Sequence, residues 1–162
     1  MLRFMKKGTL IDPTGLYRYS LWREWNANAL KVVFIMLNPS RADATTDDPT
    51  LRRCISFAQS WGYGSLEVVN LFAYRASNPA ILNQVTDPVG PENDRYLEKA
   101  VEGSDKIIVA WGNRGILRNR SRVVIHSLTG FGTLYCLGTT QLGYPRHPLY
   151  VKGNTKLVYY QS

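Results

Sequence analysis

Four apolar runs of strand length alternate along the chain with segments in which apolar residues recur every three or four positions. The runs cover residues 31–37, 66–72, 106–111 and 133–137. They are rich in Val and Ile, which is typical of strands buried on both faces, and strands that alternate with helices favour parallel pairing. The pattern predicts an α/β fold, with three layers (α/β/α) around a central, mainly parallel sheet of four strands.

Polar residues and glycines mark the ends of the predicted helices. Asp48 and Pro49 form a capping pair before a helix that Gly62 ends. The spacing of its apolar residues gives this helix one buried face, made of Leu51, Cys54, Ile55 and Ala58. Asn-Pro at 78–79 predicts the start of a short helix, and Gly-Pro at 90–91 predicts the start of another.

The N-terminal part of the chain differs from this pattern. Residues 16–26 (LYRYSLWREWN) alternate aromatic and charged side chains, which predicts a strand or hairpin beside the strand at 31–37. No repeat, low-complexity segment or linker interrupts the chain, so we predict one domain over residues 1–162. Residues 1–10 are basic but have no signal-peptide core, and no apolar run reaches membrane-spanning length. We expect a soluble, cytoplasmic protein with no membrane partner.

Charge is distributed unevenly along the sequence. The net charge is +8, and residues 106–162 contain eight Lys and Arg residues but no Asp or Glu. A segment with charge of one sign attracts polyanions, so we expect a partner that is DNA or a nucleotide. Cys54 and Cys136 are far apart in the sequence and neither lies in a CxxC pair, which argues against a disulfide or a cysteine-bound metal.

A last helix is predicted over residues 115–128. Arg114, Arg118 and Arg122 recur every four residues, which would place them as a ridge on its solvent face. The apolar residues on the opposite arc are Ile116, Val123, Val124 and Leu128. Arg120 falls inside that arc, so it must extend to solvent, pair with an acid or reach a ligand.

Polar residues follow each predicted strand. Because ligands of open parallel sheets bind at the carboxyl ends of the strands, Asn38, Asn70 and His147 should meet there. An amide offers a donor and an acceptor side by side, as a nucleobase edge does, aromatic rings provide stacking surfaces, and histidine can hydrogen-bond to a leaving group. These residues predict a base-binding pocket.

Each of these residues also has a purely structural interpretation. Asn38 before Pro39 can simply shape a turn, Asn70 can be a buried amide that satisfies backbone groups, and His147 can be an exposed loop residue. Three acidic residues of the loop after the first strand could ligate Mg²⁺ or could cap turns and the following helix: Asp43, Asp47 and Asp48.

The order of motifs resembles two known families. Motifs such as MLNPSRADATTDDPTLRRC, VVNLFAYRA, DPVGPEND and RHPLY are similar to those of small bacterial and phage proteins that form a domain-of-unknown-function family, DUF1643. The sequence also resembles the uracil-DNA glycosylase superfamily. FIMLNPS is similar to the motif after its first strand, VVNLFAYR to the Asn-x-x-x-x-Arg of one branch, and RHPLY to its His-Pro motif.

The second resemblance implies a role for each matching residue. Asn38 would hold the attacking water, Asn70 would read the base, and His147 would stabilise the departing base. Leu149 and Tyr150 would press into the base stack from which a nucleotide is flipped. The phenylalanine that stacks on uracil in the superfamily is missing, and three aromatic residues are candidates to replace it: Phe72, Tyr74 and Trp111.

Further nucleic-acid contacts are expected from polar and basic residues of the crevice and of the acid-free segment: Ser40, Arg75, Arg114, Arg118, Arg122, Arg146 and Lys152. The four cysteines of the iron–sulfur branch are absent, so we expect no cluster, no other cofactor and no metal. The leading hypothesis is a glycosylase-like hydrolase that acts on a base in DNA or in a nucleotide. The alternatives are a non-catalytic module that binds nucleic acid or nucleotide, and a metal-dependent phosphoester hydrolase that uses the three aspartates.

Overall fold

One mixed sheet of seven strands runs through the protein. The computed structural model describes residues 5–161. Residues 1–4, the first part of the basic segment 1–10, lie outside it, and so does residue 162. The strands are β1 (Lys6–Ile11), β2 (Arg18–Glu24), β3 (Lys31–Met36), β4 (Ser65–Asn70), β5 (Lys106–Val109), β6 (Leu134–Cys136) and β7 (Val158–Tyr159). The helices are α1 (Pro49–Ser60), α2 (Asn93–Glu102) and α3 (Arg120–Ser127), with 3₁₀ helices at Pro79–Asn83, Asn113–Asn119 and Pro148–Tyr150.

The strand order is β1-β2-β4-β3-β5-β6-β7. The three pairings among β4, β3, β5 and β6 are parallel, and the three outer pairings are antiparallel. The α/β class is therefore confirmed, but the prediction of a four-stranded sheet was wrong, because β1, β2 and β7 extend it at both edges. β7 was not predicted, since two half-exposed residues carry no apolar run.

The segment 16–26, predicted as a strand or hairpin, forms the single strand β2, and its hairpin partner β1 was not predicted. Its other neighbour in the sheet was predicted wrongly. β2 pairs with β4, where Leu21 lies opposite Val68, and β4 separates it from β3. β3 is the most apolar strand, and its residues 32–35 are completely buried. A central position between β4 and β5 covers both of its edges as well as both of its faces, which is the position its sequence favours.

Alternate residues of β3 face two separate hydrophobic cores. Val32, Phe34 and Met36 pack on one side with the apolar face of α1. Val33 and Ile35 pack on the other side with residues of α2 and α3. Helices therefore cover both faces of the sheet. None of the helices in residues 5–161 is long and apolar enough to cross a membrane.

The predicted ends of the first helix are confirmed. Asp48 Oδ1 accepts a hydrogen bond of 2.8 Å from the Leu51 amide at the start of α1. Gly62 follows the last turn with φ +85°, a conformation that glycine adopts without steric cost. Asn78 caps the 3₁₀ helix Pro79–Asn83 in the same way, since its side chain accepts from the Ala80 amide. Local sequence chemistry therefore determines these boundaries.

The predicted helix over residues 115–128 is broken in two. The first part is the 3₁₀ helix Asn113–Asn119, and α3 begins only at Arg120, because Arg118 and Asn119 have positive φ angles of 52° and 57°. Arg114, Arg118 and Arg122 therefore do not form the predicted ridge. The predicted apolar arc was also wrong in part, since Ile116 and Val123 are exposed while Val124 and Leu128 are buried.

Arg120 pairs with an acid, which was one of the three outcomes its position allowed. It is 5% exposed, its guanidinium forms an ion pair with Asp94 of α2, and its Nε donates to the Leu71 carbonyl at 2.8 Å. The interaction joins α3 to α2 and to the end of β4. The residues that follow β4 are thereby fixed from the side of the sheet that faces these helices.

Asn93 holds the end of β4 from the first turn of α2. Its side chain is completely buried, and Nδ2 donates to the carbonyl oxygens of Asn70 and Leu71 at 2.9 and 3.1 Å. These carbonyls lie at the end of the strand, where side-chain donors satisfy them, and the Leu71 carbonyl also accepts from Arg120. The position of Asn70 therefore depends on a side chain of α2.

We predict that Asn93→Ala lowers the free energy of unfolding by about 1–3 kcal/mol, because both buried carbonyls lose a donor. Urea unfolding followed by circular dichroism measures this change. Asn83→Ala is the matched control, since Asn83 is exposed at the end of a 3₁₀ helix and its replacement should change stability by less than about 0.5 kcal/mol. Equal stabilities of the two variants would show that Asn93 does not hold the strand end.

Candidate active site

A cavity of about 520 Å³ opens at the carboxyl ends of β3, β4 and β5. Asn38, Asn70 and His147, which were expected to meet, all line it, together with residues 39–40, 111–114 and others from the loop after β6. Its floor lies between α1 and the sheet and is apolar, formed by Leu21, Met36, Leu51, Cys54 and Val68. An apolar floor with polar groups around it is the usual construction of a site for a small organic molecule.

Asn38 shapes the turn after β3 and also retains a free acceptor. Its Nδ2 donates to the carbonyls of Pro39 and Ala76, at 3.1 and 2.8 Å. Two hydrogen bonds from one NH₂ group fix the orientation of the amide, so Oδ1 is left as an acceptor beside the cavity. The structural interpretation of Asn38 and the functional one are therefore compatible.

Asn70 is the last residue of β4, and its side chain is buried without hydrogen-bond partners. It is 1% exposed and lines the cavity, yet neither Oδ1 nor Nδ2 has a partner within residues 5–161. An unsatisfied buried polar group costs about 1–3 kcal/mol, so proteins seldom retain one without a ligand or water. The interpretation that this amide satisfies backbone groups was wrong, since its Oδ1 and Nδ2 contact none.

His147 precedes the 3₁₀ helix Pro148–Tyr150 and caps it. Its Nδ1 accepts from the Leu149 amide at 3.1 Å, which leaves the proton of the neutral ring on Nε2. Burial lowers the pKa of His147 below its usual value, and the Asp48 carboxylate opposes this effect in part. His147 is thus a neutral hydrogen-bond donor at the rim and not the ordinary exposed loop histidine of the structural interpretation.

Arg53 of α1 anchors the turn that contains His147. Its Nε donates to the Pro148 carbonyl at 3.2 Å, and its Nη2 donates to the Val151 carbonyl. The guanidinium also lies 5.4 Å from the centre of the Phe57 ring, so the side chain is held by its own helix. The turn at residues 147–151, between β6 and β7, is therefore fixed to α1, a contact that the sequence did not reveal.

Of the three aromatic candidates for stacking, Trp111 lines the cavity. It is 1% exposed and its Nε1 has no partner within residues 5–161. Gly115 permits this arrangement, because a Cβ atom there would lie 2.3 Å from the indole ring. Phe72 and Tyr74 do not line this cavity. Phe72 is buried in the core on the side of α2 and α3, to which Trp111 also belongs, and Tyr74 lines a second cavity of about 330 Å³.

The residues predicted to contact nucleic acid divide into two groups. Five of them line the main cavity: Ser40, Arg114, Arg146, Leu149 and Tyr150. The other four do not: Arg75, Arg118, Arg122 and Lys152. Arg75 and Arg118 donate to backbone carbonyls of neighbouring loops, and Arg122 and Lys152 point to solvent. Because the break separates Arg114 and Arg118 from Arg122, the three arginines do not lie on one face of a single helix.

The three aspartates after β3 have three different partners. Asp43 accepts from the amides of Thr45 and Thr46, Asp47 pairs with Arg23, and Asp48 caps α1. No group of three His, Cys, Asp or Glu side chains in the described part of the chain is arranged to hold a metal ion. These contacts favour a structural role for the aspartates, with Asp48 also bonded to Ser40 at the cavity, at 3.0 Å.

Arg18 is the cavity residue that the sequence analysis did not single out. It lies at the start of β2, is 4% exposed and lines the cavity beside the end of β4. It falls in the run 16–26, which was predicted as a strand or hairpin without an assignment of its buried face. Whether a basic residue in an alternating run is buried depends on its partner strand and on the loop that covers it.

The chain is an α/β protein with helices on both faces of its sheet and a cavity at the carboxyl ends of the parallel strands. The chain belongs to the family described as "Protein of unknown function (DUF1643)", whose model matches residues 18–149. The matched region includes the convergent segments from Arg18 to Leu149. No curated protein and no solved structure matches the chain.

We predict that His147 titrates below 6.5, the usual value for histidine. Between the two pKa values the unfolded chain binds more protons than the folded chain, so stability falls as the pH decreases through this window. NMR titration of the ring protons, assigned with His147→Gln, measures the pKa directly. The substitution should also reduce the loss of stability between pH 6.5 and the folded pKa. A His147 pKa at or above 6.5 would contradict the burial of a neutral ring.

Proposed function

We propose that the protein is a glycosylase-like hydrolase that cleaves the bond between a nucleobase and its sugar. The observation that carries this proposal is the Asn70 amide, whose donor and acceptor are buried at the cavity and have no hydrogen-bond partner among residues 5–161. A nucleobase presents an adjacent donor and acceptor on one edge and would satisfy both. The apolar floor and Trp111 favour a flat, weakly polar ring in the same space.

Asn38 would act on the attacking water, and His147 would act on the departing base. Oδ1 of Asn38 would accept a hydrogen bond from a water molecule and orient its oxygen toward the anomeric carbon of the sugar. The new C–O bond forms as the C–N bond breaks, and the C–N electron pair leaves with the base. The proton that the attacking water loses passes to bulk solvent. Nε2–H of His147 would donate to the base as negative charge develops on it, which is transition-state stabilisation.

A neutral histidine suits this role better than a protonated one. The base leaves as an anion that needs a hydrogen-bond donor, and a neutral imidazole supplies one without the cost of a buried cation. The Leu149 amide fixes this tautomer, since it donates to Nδ1. Arg114 and Arg146 at the rim supply positive charge toward a phosphate, and Asp48 is the one carboxylate in the lining of the cavity.

The prediction is release of free base by the wild-type protein from an oligonucleotide or a nucleotide. Substrates that carry uracil, hypoxanthine, hydroxymethylated pyrimidines or mismatches are incubated with the protein, and free base is measured by chromatography. His147→Ala should reduce the rate about 10²- to 10³-fold, by analogy with the loss of one oxyanion donor. Asn38→Ala should abolish release and leave substrate binding within about threefold.

Two exposed residues provide matched controls. His126 lies on the solvent side of α3 and Asn83 lies outside the cavity, so His126→Ala and Asn83→Ala should release base at the wild-type rate. Circular dichroism confirms that each variant is folded. Base release that survives both Asn38→Ala and His147→Ala would refute the assigned roles. Binding of nucleotides without release of base from any substrate would instead identify a non-catalytic binding module.

A further inference from the structure

Arg18 is a buried cation without an ion-pair partner. It is 4% exposed, and none of the ion pairs in the described part of the chain includes it. Its Nη1 donates to the Ala42 carbonyl at 2.9 Å, but its Nε is buried without a hydrogen-bond partner in residues 5–161. Burial lowers the pKa of Arg18 to about 10, so the guanidinium is still charged at neutral pH.

The other two buried arginines show what a structural arginine requires. Arg23, on the same strand, is completely buried and pairs with Asp47 at 2.9 Å, while it also donates to the Asp43 carbonyl. Arg120 pairs with Asp94. An unpaired buried charge is strongly unfavourable, so structural arginines in protein interiors have a carboxylate partner. Arg18 departs from this rule, and it is the one of the three that lines the cavity.

The surroundings of Arg18 indicate where its missing partner would lie. β2 runs beside β4, and the Arg18 amide donates to the Ala73 carbonyl, three residues beyond Asn70. The loop after β3 covers the guanidinium through Ala42. Arg18 and Asn70 are therefore on adjacent strands and line one cavity, each with a buried polar atom that the protein leaves unpaired.

We propose that Arg18 receives the phosphate monoester of a free nucleotide, so that the substrate of this site is a mononucleotide rather than a base within a DNA strand. This inference rests on the proposed function, because it takes Asn70 as the reader of the base. A guanidinium binds a phosphate through two parallel hydrogen bonds, for which Nε and a terminal nitrogen are suited.

Burial of Arg18 selects a monoester over a phosphodiester. A monoester ends the molecule and can enter a covered site, whereas a phosphodiester continues as chain in two directions and needs an open groove. The cavity of about 520 Å³ lies within the range of sites that enclose a whole small molecule. The arginines at its rim, Arg114 and Arg146, would then draw in the anionic nucleotide rather than follow a polymer.

The test compares affinities by isothermal titration calorimetry. The ligands are uridine, uridine 5′-monophosphate, the matched inosine pair, inorganic phosphate and a dinucleotide with one internal phosphodiester. We expect the wild-type protein to bind one monophosphate about 10- to 100-fold more tightly than its nucleoside, as charge-assisted hydrogen bonds would give. Inorganic phosphate should compete with the monophosphate, and the dinucleotide should bind no better than the nucleoside.

Arg18→Gln should abolish the preference for the monophosphate and change the affinity for the nucleoside by less than about threefold. Arg18→Lys should retain part of the preference, since it keeps the charge but loses the paired geometry. Arg122→Gln, an exposed arginine outside the cavity, should behave as wild type. Should Arg18→Gln fail to fold, the wild-type comparison of monophosphate, nucleoside and dinucleotide still decides the question.

Equal affinity of the wild-type protein for nucleoside and monophosphate would overturn the inference, as would equal binding of the dinucleotide. An equal loss of both affinities in Arg18→Gln would show a structural role for Arg18. Other outcomes distinguish failure of this inference from failure of the proposed function. Base release from oligonucleotides without any monophosphate preference would retain the glycosylase activity and reject the mononucleotide. A monophosphate preference that depends on Arg18, without base release, would retain the anion site and reject the glycosylase.

Discussion

Several polar side-chain atoms at one end of the sheet are buried without hydrogen-bond partners within residues 5–161, and the rest of the fold has to offset the free energy that this costs. Six buried side-chain atoms in residues 5–161 lack a hydrogen-bond partner, and four of them belong to residues that line the main cavity: Arg18, Asn70 and Trp111. A folded chain tolerates such groups only if the rest of the fold supplies the stability they cost. The two apolar cores on either side of β3 are the source of that stability.

The surrounding structure keeps these polar atoms in place through contacts on three sides. Asn93 and Arg120 hold the carbonyls at the end of β4 from the side of α2 and α3. Arg53 holds the turn of His147 from the side of α1. Arg23 holds the acidic loop above β2 through Asp47. Four buried or half-buried polar side chains thus fix the loops of the cavity, and preorganisation of this kind lowers the entropy that a ligand must overcome.

Among residues 5–161, the charged side chains that line the cavity are three arginines and one aspartate. Burial keeps the His147 ring neutral, and Asp48, the single carboxylate in the lining, already accepts from Ser40 and from the helix amide. Arg18 adds a buried positive charge that forms no ion pair within residues 5–161, although Asp48 and Asp43 stabilise it electrostatically from a greater distance. A site with fixed amides, a neutral donor and excess positive charge is complementary to an anionic molecule with a polar ring.

Much of the local structure follows directly from the amino-acid sequence. Asp48 and Pro49 start α1, Gly62 ends it, and the Val- and Ile-rich runs form the central strands, because caps, positive φ angles and apolar periodicity act within a few residues. It also indicated which loops meet, since the carboxyl ends of parallel strands share one edge. Asn38, Asn70, Trp111 and His147 were brought together for this reason.

Only the tertiary structure decided which strands pair at the edges, where the last helix begins, and which charges are paired. The strand order depends on competition among distant segments, and the break at Arg118 and Asn119 opposes the apolar spacing of that segment. The apolar spacing marked Arg120 as unusual, but nothing in the sequence distinguishes Arg18 from Arg23. Arg23 pairs with a carboxylate, whereas Arg18 lines the cavity and forms no ion pair within residues 5–161. Burial and pairing are properties of three-dimensional neighbours, which the order of residues does not specify.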